Sequence, residues 1–201
     1  MTPEAAIRAI WLAWWASWLA AAAWSDRAVK RPATQNQITY RLLAALGTVL
    51  LFGFLRGNVD EMPLWRTPTA LAWTLAAVVV AGLLFTWWAR IHLGRLWSSS
   101  VTRKADHHVV DTGPYGIVRH PIYTGIILAS CATAAMRGTA LAWLGACVMT
   151  VGWVIKARLE EAFLREQLGE EAYGEYSRRV PMLVPAGKAP LERSGSRRSR
   201  R

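Results

Sequence analysis

Residues 122–155 read IYTGIILASCATAAM, then RG, then TALAWLGACVMTVGWVI. Two apolar runs, 122–136 and 139–155, are separated only by Arg137 and Gly138. Neither run repeats a polar residue every turn, so neither is an amphipathic surface helix. Helices with so short a connection must run antiparallel and pack on each other, which predicts a tight hairpin. Each arm falls short of the roughly 20 apolar residues that cross a bilayer squarely. The arms therefore span where the bilayer thins, or enter and return.

Three further runs, 5–24, 38–55 and 69–89, lie upstream, with Arg8 and Arg41 close enough to their ends to snorkel. No Gly or Pro falls between Ile155 and Gly169, so the second hairpin arm should continue past the apolar run as a cytoplasmic helical extension. The fold class that follows is all-α: a polytopic transmembrane bundle of about five helices. A cleaved signal peptide is the alternative for the first run, since Ala21–Ala23 offers small residues. Against it stand Trp11, Trp14, Trp15, Trp18 and Trp24, with almost no positive charge preceding them. Their spacing marks a packing or lipid-facing stripe rather than a cofactor box. Cys131 and Cys147 fit no metal spacing and read as small buried apolar residues.

Loop charge sets the orientation. The 25–41 loop carries Arg27, Lys30, Arg31 and Arg41 against Asp26, while 56–69 balances Arg56 and Arg66 with Asp60 and Glu61. The 90–120 loop carries Arg90, Arg95, Arg103, Lys104 and Arg119 against Asp106 and Asp111, and eleven basic residues follow Ile155. Positive loops alternate with neutral ones, as five crossings with the N-terminus outside require, placing the C-terminus in the cytoplasm of a bacterial-type inner membrane. The net charge of +11 is therefore mostly topology charge, and no nucleic-acid partner is expected. Three segments result: three helices in 1–89, a loop, hairpin and C-terminal segment in 90–185, and a basic tail in 186–201 expected to be disordered and to lie along anionic membrane lipids.

The polar chemistry concentrates on one side. All four histidines, His92, His107, His108 and His120, lie between the third and fourth runs. Gly113-Pro114 and Gly116 force an irregular path. Pro121 drives His120 out of helical geometry and suits the first position of a helix. The free N–H groups of that helix, beside Arg119 and His120, make a site for an anionic group. A lipid phosphate on Arg119 and a mere capping role for His120 are the plainer readings. No spacing among the histidines resembles a metal pattern, so no metal is expected.

A second focus is Glu160-Glu161, which point about 100° apart on a helix, so that one can face the loop while the other faces water. Surface pairs, Lys156 with Glu160 and Glu161 with Arg165, are the plainer alternative. A hairpin, however, returns its second arm to where the first began. Glu160 and Glu161 should thus emerge beside Arg119, His120, Tyr115 and Tyr123, a mouth suited to a zwitterionic or cationic small molecule.

These residues resemble the isoprenylcysteine carboxyl methyltransferase family and its phospholipid methyltransferase relatives. The likeness runs from Leu93-Gly-Arg-Leu-Trp97-Ser98 through Gly113-Pro114-Tyr115 and Arg119-His120-Pro121-Ile-Tyr123-Thr-Gly125. It closes with Glu160-Glu161, Phe163-Leu164, 168–176 and Val180-Pro181 to Pro185. The resemblance implies a membrane-embedded, S-adenosylmethionine-dependent methyltransferase without a Rossmann fold. It maps the cofactor pocket onto Gly113, Pro114, Tyr115, Val118, Arg119, His120, Pro121, Tyr123, Glu160 and Glu161, with His108 added. Arg119, Glu160 and Glu161 are the implied catalytic groups. The implied acceptor is a hydrophobic or lipid-like molecule entering sideways from the bilayer. An isoprenylcysteine carboxylate leads, with an amine or a thiol as the alternatives.

Physical chemistry agrees with that implication. Arg119 and a helix N-terminus suit the cofactor's carboxylate, a glutamate its ammonium or ribose, and aromatic faces its sulfonium. An amine acceptor would need a base, for which His108 or a carboxylate at the mouth is the candidate. Two rivals stay open: an NADPH-dependent membrane reductase, separable by cofactor binding, and a non-catalytic membrane protein. Against the latter, ionisable residues are lacking within the apolar runs, where transport sites usually show.

Overall fold

The computed structural model describes residues 1–21, 34–54, 63–94 and 110–185. His107, His108 and the 186–201 tail lie outside them. Within the described residues every regular element is helical: α1 (Pro3–Ala20), α2 (Thr34–Phe52), α3 (Thr69–Leu93), α4 (Pro121–Arg137), α5 (Ala140–Leu168) and α6 (Glu170–Arg179). A single 3-10 turn, Gly113–Gly116, precedes α4. Two helices, α3 and α5, are long and apolar enough to cross a membrane by themselves.

The hairpin has its expected form. Gly138 closes α4 in the left-handed conformation (φ 63°), which a side chain would disfavour, and Thr139 caps α5 by accepting from the Ala142 N–H. The exposed carbonyls at the end of α4 are met from another segment. The Trp65 indole donates to the Ala135 carbonyl (3.1 Å) and the Thr67 hydroxyl to that of Met136 (3.0 Å). As expected, α5 runs on past its apolar part and stops at Gly169.

Small residues draw the helices together. A Cβ built on Gly82 would lie 2.7 Å from the Gly125 carbonyl oxygen, so α3 and α4 touch backbone to backbone. Gly47 and Gly145 do the same for α2 and α5, a Cβ on either falling within 2.8 Å of the other's carbonyl. Such contacts suit helices packed by dispersion rather than by expulsion of water. The tryptophan stripe of α1 ties it to the bundle: Trp11 donates to Thr133 of α4 (3.1 Å) and Trp14 to Thr86 of α3 (2.8 Å). Trp15 faces outward.

Two expectations are corrected. Arg90, read as a loop charge, lies within α3 and is buried. Its guanidinium stands 4.7 Å from the Trp18 ring and 5.8 Å from that of Trp87, and donates to the Ala21 carbonyl. Those aromatic faces let the helix continue a turn beyond the apolar run. Cys147 is exposed rather than buried and Cys131 only half-buried; Cys147 shares its face of α5 with the exposed Leu144 and Val151.

Candidate active site

The site forms where α4 begins and the apolar part of α5 ends. His120 precedes α4 with non-helical torsions (φ −124°, ψ 64°), and Pro121 occupies the first turn. That geometry leaves the imidazole free to reach across to α5 rather than cap its own helix, and no side-chain cap bond forms. Its Nε2 lies 3.1 Å from Glu161 Oε1 and its Nδ1 3.6 Å from Glu160 Oε2.

Both glutamates therefore face the loop, where one was expected to face water. The ring sits between two side chains that diverge by about 100°, so each of its nitrogens meets one of them. Glu160 also accepts from the Tyr123 hydroxyl (2.6 Å) and lies 3.8 Å from Lys156 Nζ. The anticipated Lys156–Glu160 pair is thus present, but buried rather than on a solvated face.

Arg119 organises the other flank. Its Nε donates to Glu161 (2.7 Å), and a terminal nitrogen donates to the carbonyls of Ser177 (2.8 Å) and Val180 (2.5 Å). The guanidinium thereby holds the end of α6 against the loop. The chain after α6 pairs with the same loop. Arg119 N–H donates to the Pro181 carbonyl (2.8 Å), His120 N–H to that of Met182 (3.1 Å), and the Thr124 hydroxyl to that of Leu183 (2.7 Å). Tyr176 donates to the Tyr115 carbonyl (2.8 Å), and Arg179 pairs with Asp111 at 2.6 Å. On the far side the His92 ring nitrogen lies 2.9 Å from the Thr112 hydroxyl and its ring stacks on Tyr115.

Charge states follow from these contacts. Burial disfavours the Glu161 carboxylate, but hydrogen bonds from His120 and Arg119 outweigh it and hold the carboxyl at about 2. Burial likewise disfavours the His120 cation, yet the two glutamates more than offset it and raise the imidazole above its ordinary value. The same contacts favour the charged imidazole and the charged carboxylates together, each stabilising the other.

The structure brings together Gly113, Pro114, Tyr115, Val118, Arg119, His120, Pro121, Tyr123, Glu160 and Glu161, all on one side of the bundle. Sequence reasoning missed the backbone pairing of 180–183, and it missed Tyr40 and Trp153. Trp153 stacks on Tyr123 with ring centres 5.0 Å apart, and Tyr123 stacks on His120 at 5.4 Å. A Trp three residues before Lys156 was a usable signal, since it places a ring beside that lysine on α5. Tyr40, far away in sequence, left none.

The donor set fits S-adenosylmethionine: two carboxylates for an ammonium or ribose hydroxyls, and stacked rings for a sulfonium. Among the described residues, no three His, Cys, Asp or Glu side chains gather in a way that could hold a metal ion.

A bundle of apolar helices, two of them long enough to cross a membrane, with an ionic cluster where α4 begins and the apolar part of α5 ends, is the architecture of an integral membrane protein. Residues 74–166 match the model of the Isoprenylcysteine carboxyl methyltransferase (ICMT) family, and it is to this family that the matched part of the chain belongs. The chain is 32% identical over 184 residues to methanethiol S-methyltransferase 2 of Bradyrhizobium diazoefficiens, covering 86% of the chain and 63% of that relative. It is 32% identical over 172 residues to the methanethiol S-methyltransferase of a Pseudomonas strain, covering 77% and 61%. Protein-S-isoprenylcysteine O-methyltransferase B of Arabidopsis thaliana is 33% identical over 113 residues, or 54% and 50%. The chain thus spans about three fifths of the length of the curated relatives it matches over most of its own length.

Proposed function

We propose that this protein is an S-adenosylmethionine-dependent methyltransferase acting on a hydrophobic acceptor that enters from the membrane. One observation carries the reading: Arg119, His120, Tyr123, Glu160 and Glu161 form one connected polar network at the mouth of the hairpin. All five lie within the segment that matches the family.

When bound, the cofactor supplies a methyl group on a sulfonium centre. The protein's part is orientation. Glu160 lies beside the stacked Tyr123 and Trp153 rings and would face the cofactor's cationic groups. Glu161 and Arg119 tie the loop to α5 and to the end of α6, and residues 181–183 accept hydrogen bonds along the loop, contacts that would help shield a bound cofactor from water. Methyl transfer is an in-line displacement, so alignment and exclusion of water supply most of the rate. The reading assigns 90–185 to the cofactor and the helices of 1–89 to acceptor choice. It places the site on the cytoplasmic face of an inner membrane, with the N-terminus outside and the basic 186–201 tail along its lipids.

Two acceptor types are in view. The matches with methanethiol S-methyltransferases cover 77–86% of the chain and so reach into the N-terminal helices, whereas the isoprenylcysteine enzyme covers 54%. That difference favours a thiol over the isoprenylcysteine carboxylate that the motifs alone suggest. Calorimetric titration with S-adenosylhomocysteine in detergent tests the cofactor. Saturable one-site binding is expected. Binding of NADPH in its place would return the chain to the reductase reading.

A further inference from the structure

Lys156 is the charged group whose position the sequence explains least. It follows directly on the apolar run, where a lysine ordinarily snorkels outward to water. Instead its side chain is buried, turned inward among α2, α4 and α5. Nζ stands 5.1 Å from the Tyr123 ring centre, 5.4 Å from that of Tyr40 and 5.6 Å from that of Trp153. The Glu160 carboxylate, 3.8 Å away, is shared with the Tyr123 hydroxyl and faces the His120 imidazole. Arg41, on α2, lies over the outer face of Tyr40. Among the described residues, the titratable and charged groups that face Nζ include Tyr40 and Arg41 of α2, Tyr123 of α4, His120 before it, and Glu160 on its own helix.

Two further polar groups line this cluster. Tyr40 is 3% exposed and the Trp153 indole nitrogen is buried, and among the described residues neither the phenol hydroxyl nor the indole N–H meets a hydrogen-bond partner at bonding geometry. A buried hydroxyl and a buried N–H left in this state each forgo a bond worth making. An ammonium, a phenol and an indole N–H gathered in an apolar wall form a donor-rich surface, and its natural complement is an anion. The wall itself is partly specific to this chain's N-terminal half, since Tyr40 lies outside the segment that matches the family.

We propose that Lys156, assisted by the Tyr40 hydroxyl, holds the nucleophilic head of the methyl acceptor as an anion, so that the site takes apolar thiols and carboxylic acids and rejects amines. The inference rests on the methyltransferase reading. In the thiol case the acceptor's S–H proton passes to water or buffer at the mouth, leaving a thiolate beside the ammonium. The thiolate lone pair forms the new S–CH3 bond. The bond from methyl to the sulfonium breaks, and its electron pair stays on that sulfur as a neutral thioether. An anion and a cation become two neutral molecules. Lys156 then keeps only its Glu160 partner and no longer attracts the methylated head, which favours release of the product.

The ammonium acts on the thiol's ionisation. An opposite charge within about 4–6 Å lowers a pKa by roughly one to three units. Each unit gives tenfold more thiolate and removes about threefold in nucleophilicity, so the net gain is about threefold per unit. Removing the charge should therefore lower kcat/KM for a thiol at neutral pH by about 3- to 30-fold. The deficit should fade at alkaline pH, where the thiol ionises unaided.

The test uses the full chain in detergent micelles, with labelled S-adenosylmethionine and three acceptors: octanethiol, an S-farnesylated N-acetylcysteine and octylamine. Wild type is compared with Lys156→Met, Lys156→Arg and Tyr40→Phe, and each is titrated with S-adenosylhomocysteine. The expected wild type methylates the thiol or the acid but not the amine. In Lys156→Met the pH at which thiol transfer reaches half its maximum should move up by about one to three units, with S-adenosylhomocysteine affinity retained. A carboxylate acceptor, already ionised, should show a raised KM and no such movement. Lys156→Arg should restore the wild-type profile, and Tyr40→Phe should raise KM for the anionic acceptor alone. Efficient transfer to octylamine overturns the inference, as does an unmoved pH profile in Lys156→Met. Should Lys156→Met not fold, an unchanged acceptor KM in Tyr40→Phe with wild-type transfer to amine would overturn it equally. A wild type that binds no S-adenosylhomocysteine removes the reading on which the inference rests, and the inference with it.

Discussion

Replacing Glu161 with glutamine isolates the charge that locks the loop to α5 and α6. In the wild type this carboxylate accepts from Arg119 Nε at 2.7 Å and lies 3.1 Å from His120 Nε2. Holding its carboxyl at about 2 rather than near 4.5 corresponds to about 3 kcal/mol at most, at ~1.4 kcal/mol per pH unit. Glutamine keeps one acceptor oxygen but removes the negative charge that the Arg119 guanidinium and the His120 ring share, leaving Glu160 as the ring's remaining carboxylate. A loss of about 1–3 kcal/mol follows, equivalent to a fall of about 2–12 °C in Tm for a chain of this size. The sign with pH is also fixed. Because the folded value lies below the ordinary one, Glu161 contributes in full above about pH 4.5, and its contribution disappears as pH falls through that value towards 2. Thermal unfolding in detergent at pH 7 and pH 3 reads both effects, with a large gap between wild type and Glu161→Gln at pH 7 that narrows at pH 3. A gap under about 1 °C at pH 7 would refute the reasoning, since 1 °C is below the smallest shift expected.

Other outcomes follow from the same contacts. Raising pH should weaken the wild type as His120 loses its proton: the group's folded value is raised, so its contribution is complete below the ordinary imidazole value and fades as pH rises through the folded one. In His120→Gln, unfolding curves from pH 6 to 9 should lose that alkaline decline. Arg119→Ala and Glu161→Ala should each weaken S-adenosylhomocysteine binding by about 1.5–3 kcal/mol in calorimetry, and Arg119→Ala should also expose α6 to limited proteolysis. Gly82→Ala forces a Cβ against the Gly125 carbonyl and should cost about 1–3 kcal/mol, seen as a lower Tm and a broadened gel-filtration peak. With Cys131 and Cys147 replaced by serine, a cysteine at Leu64 should label from outside the cell and one at Glu175 only after permeabilisation. The reverse pattern would invert the proposed orientation.

What the sequence made legible depended on the range of the interactions. The hairpin was readable because its decisive features are local: two apolar runs, a two-residue connection and a glycine at the left-handed position. The meeting of Glu160 and Glu161 with His120 followed from that topology without any side-chain geometry. The sharing of one ring by both glutamates did not, because the torsions of His120 decide it and spacing on α5 does not. Arg119 could be placed at the mouth but not tied to the Ser177 and Val180 carbonyls, since main-chain acceptors carry no residue signature. Lys156 looked like half of a surface pair because the Tyr40 ring that buries it arrives from α2, more than a hundred residues earlier. Arg90 looked like a loop charge for the same reason, its Trp18 partner lying on α1.

Transfer of a methyl group is the central claim, and labelled methyl provides its most direct measurement. Purified protein in detergent is incubated with S-adenosylmethionine carrying a radioactive methyl group and an apolar thiol, and the product is extracted into organic solvent and identified. The account predicts label in the methyl thioether with wild type, and a loss of at least about tenfold with Glu160→Gln, where a charged contact of the cofactor site is removed. No transfer to octanethiol, farnesylated N-acetylcysteine or octylamine by a protein shown to bind S-adenosylhomocysteine would contradict it, as would full activity in Glu160→Gln.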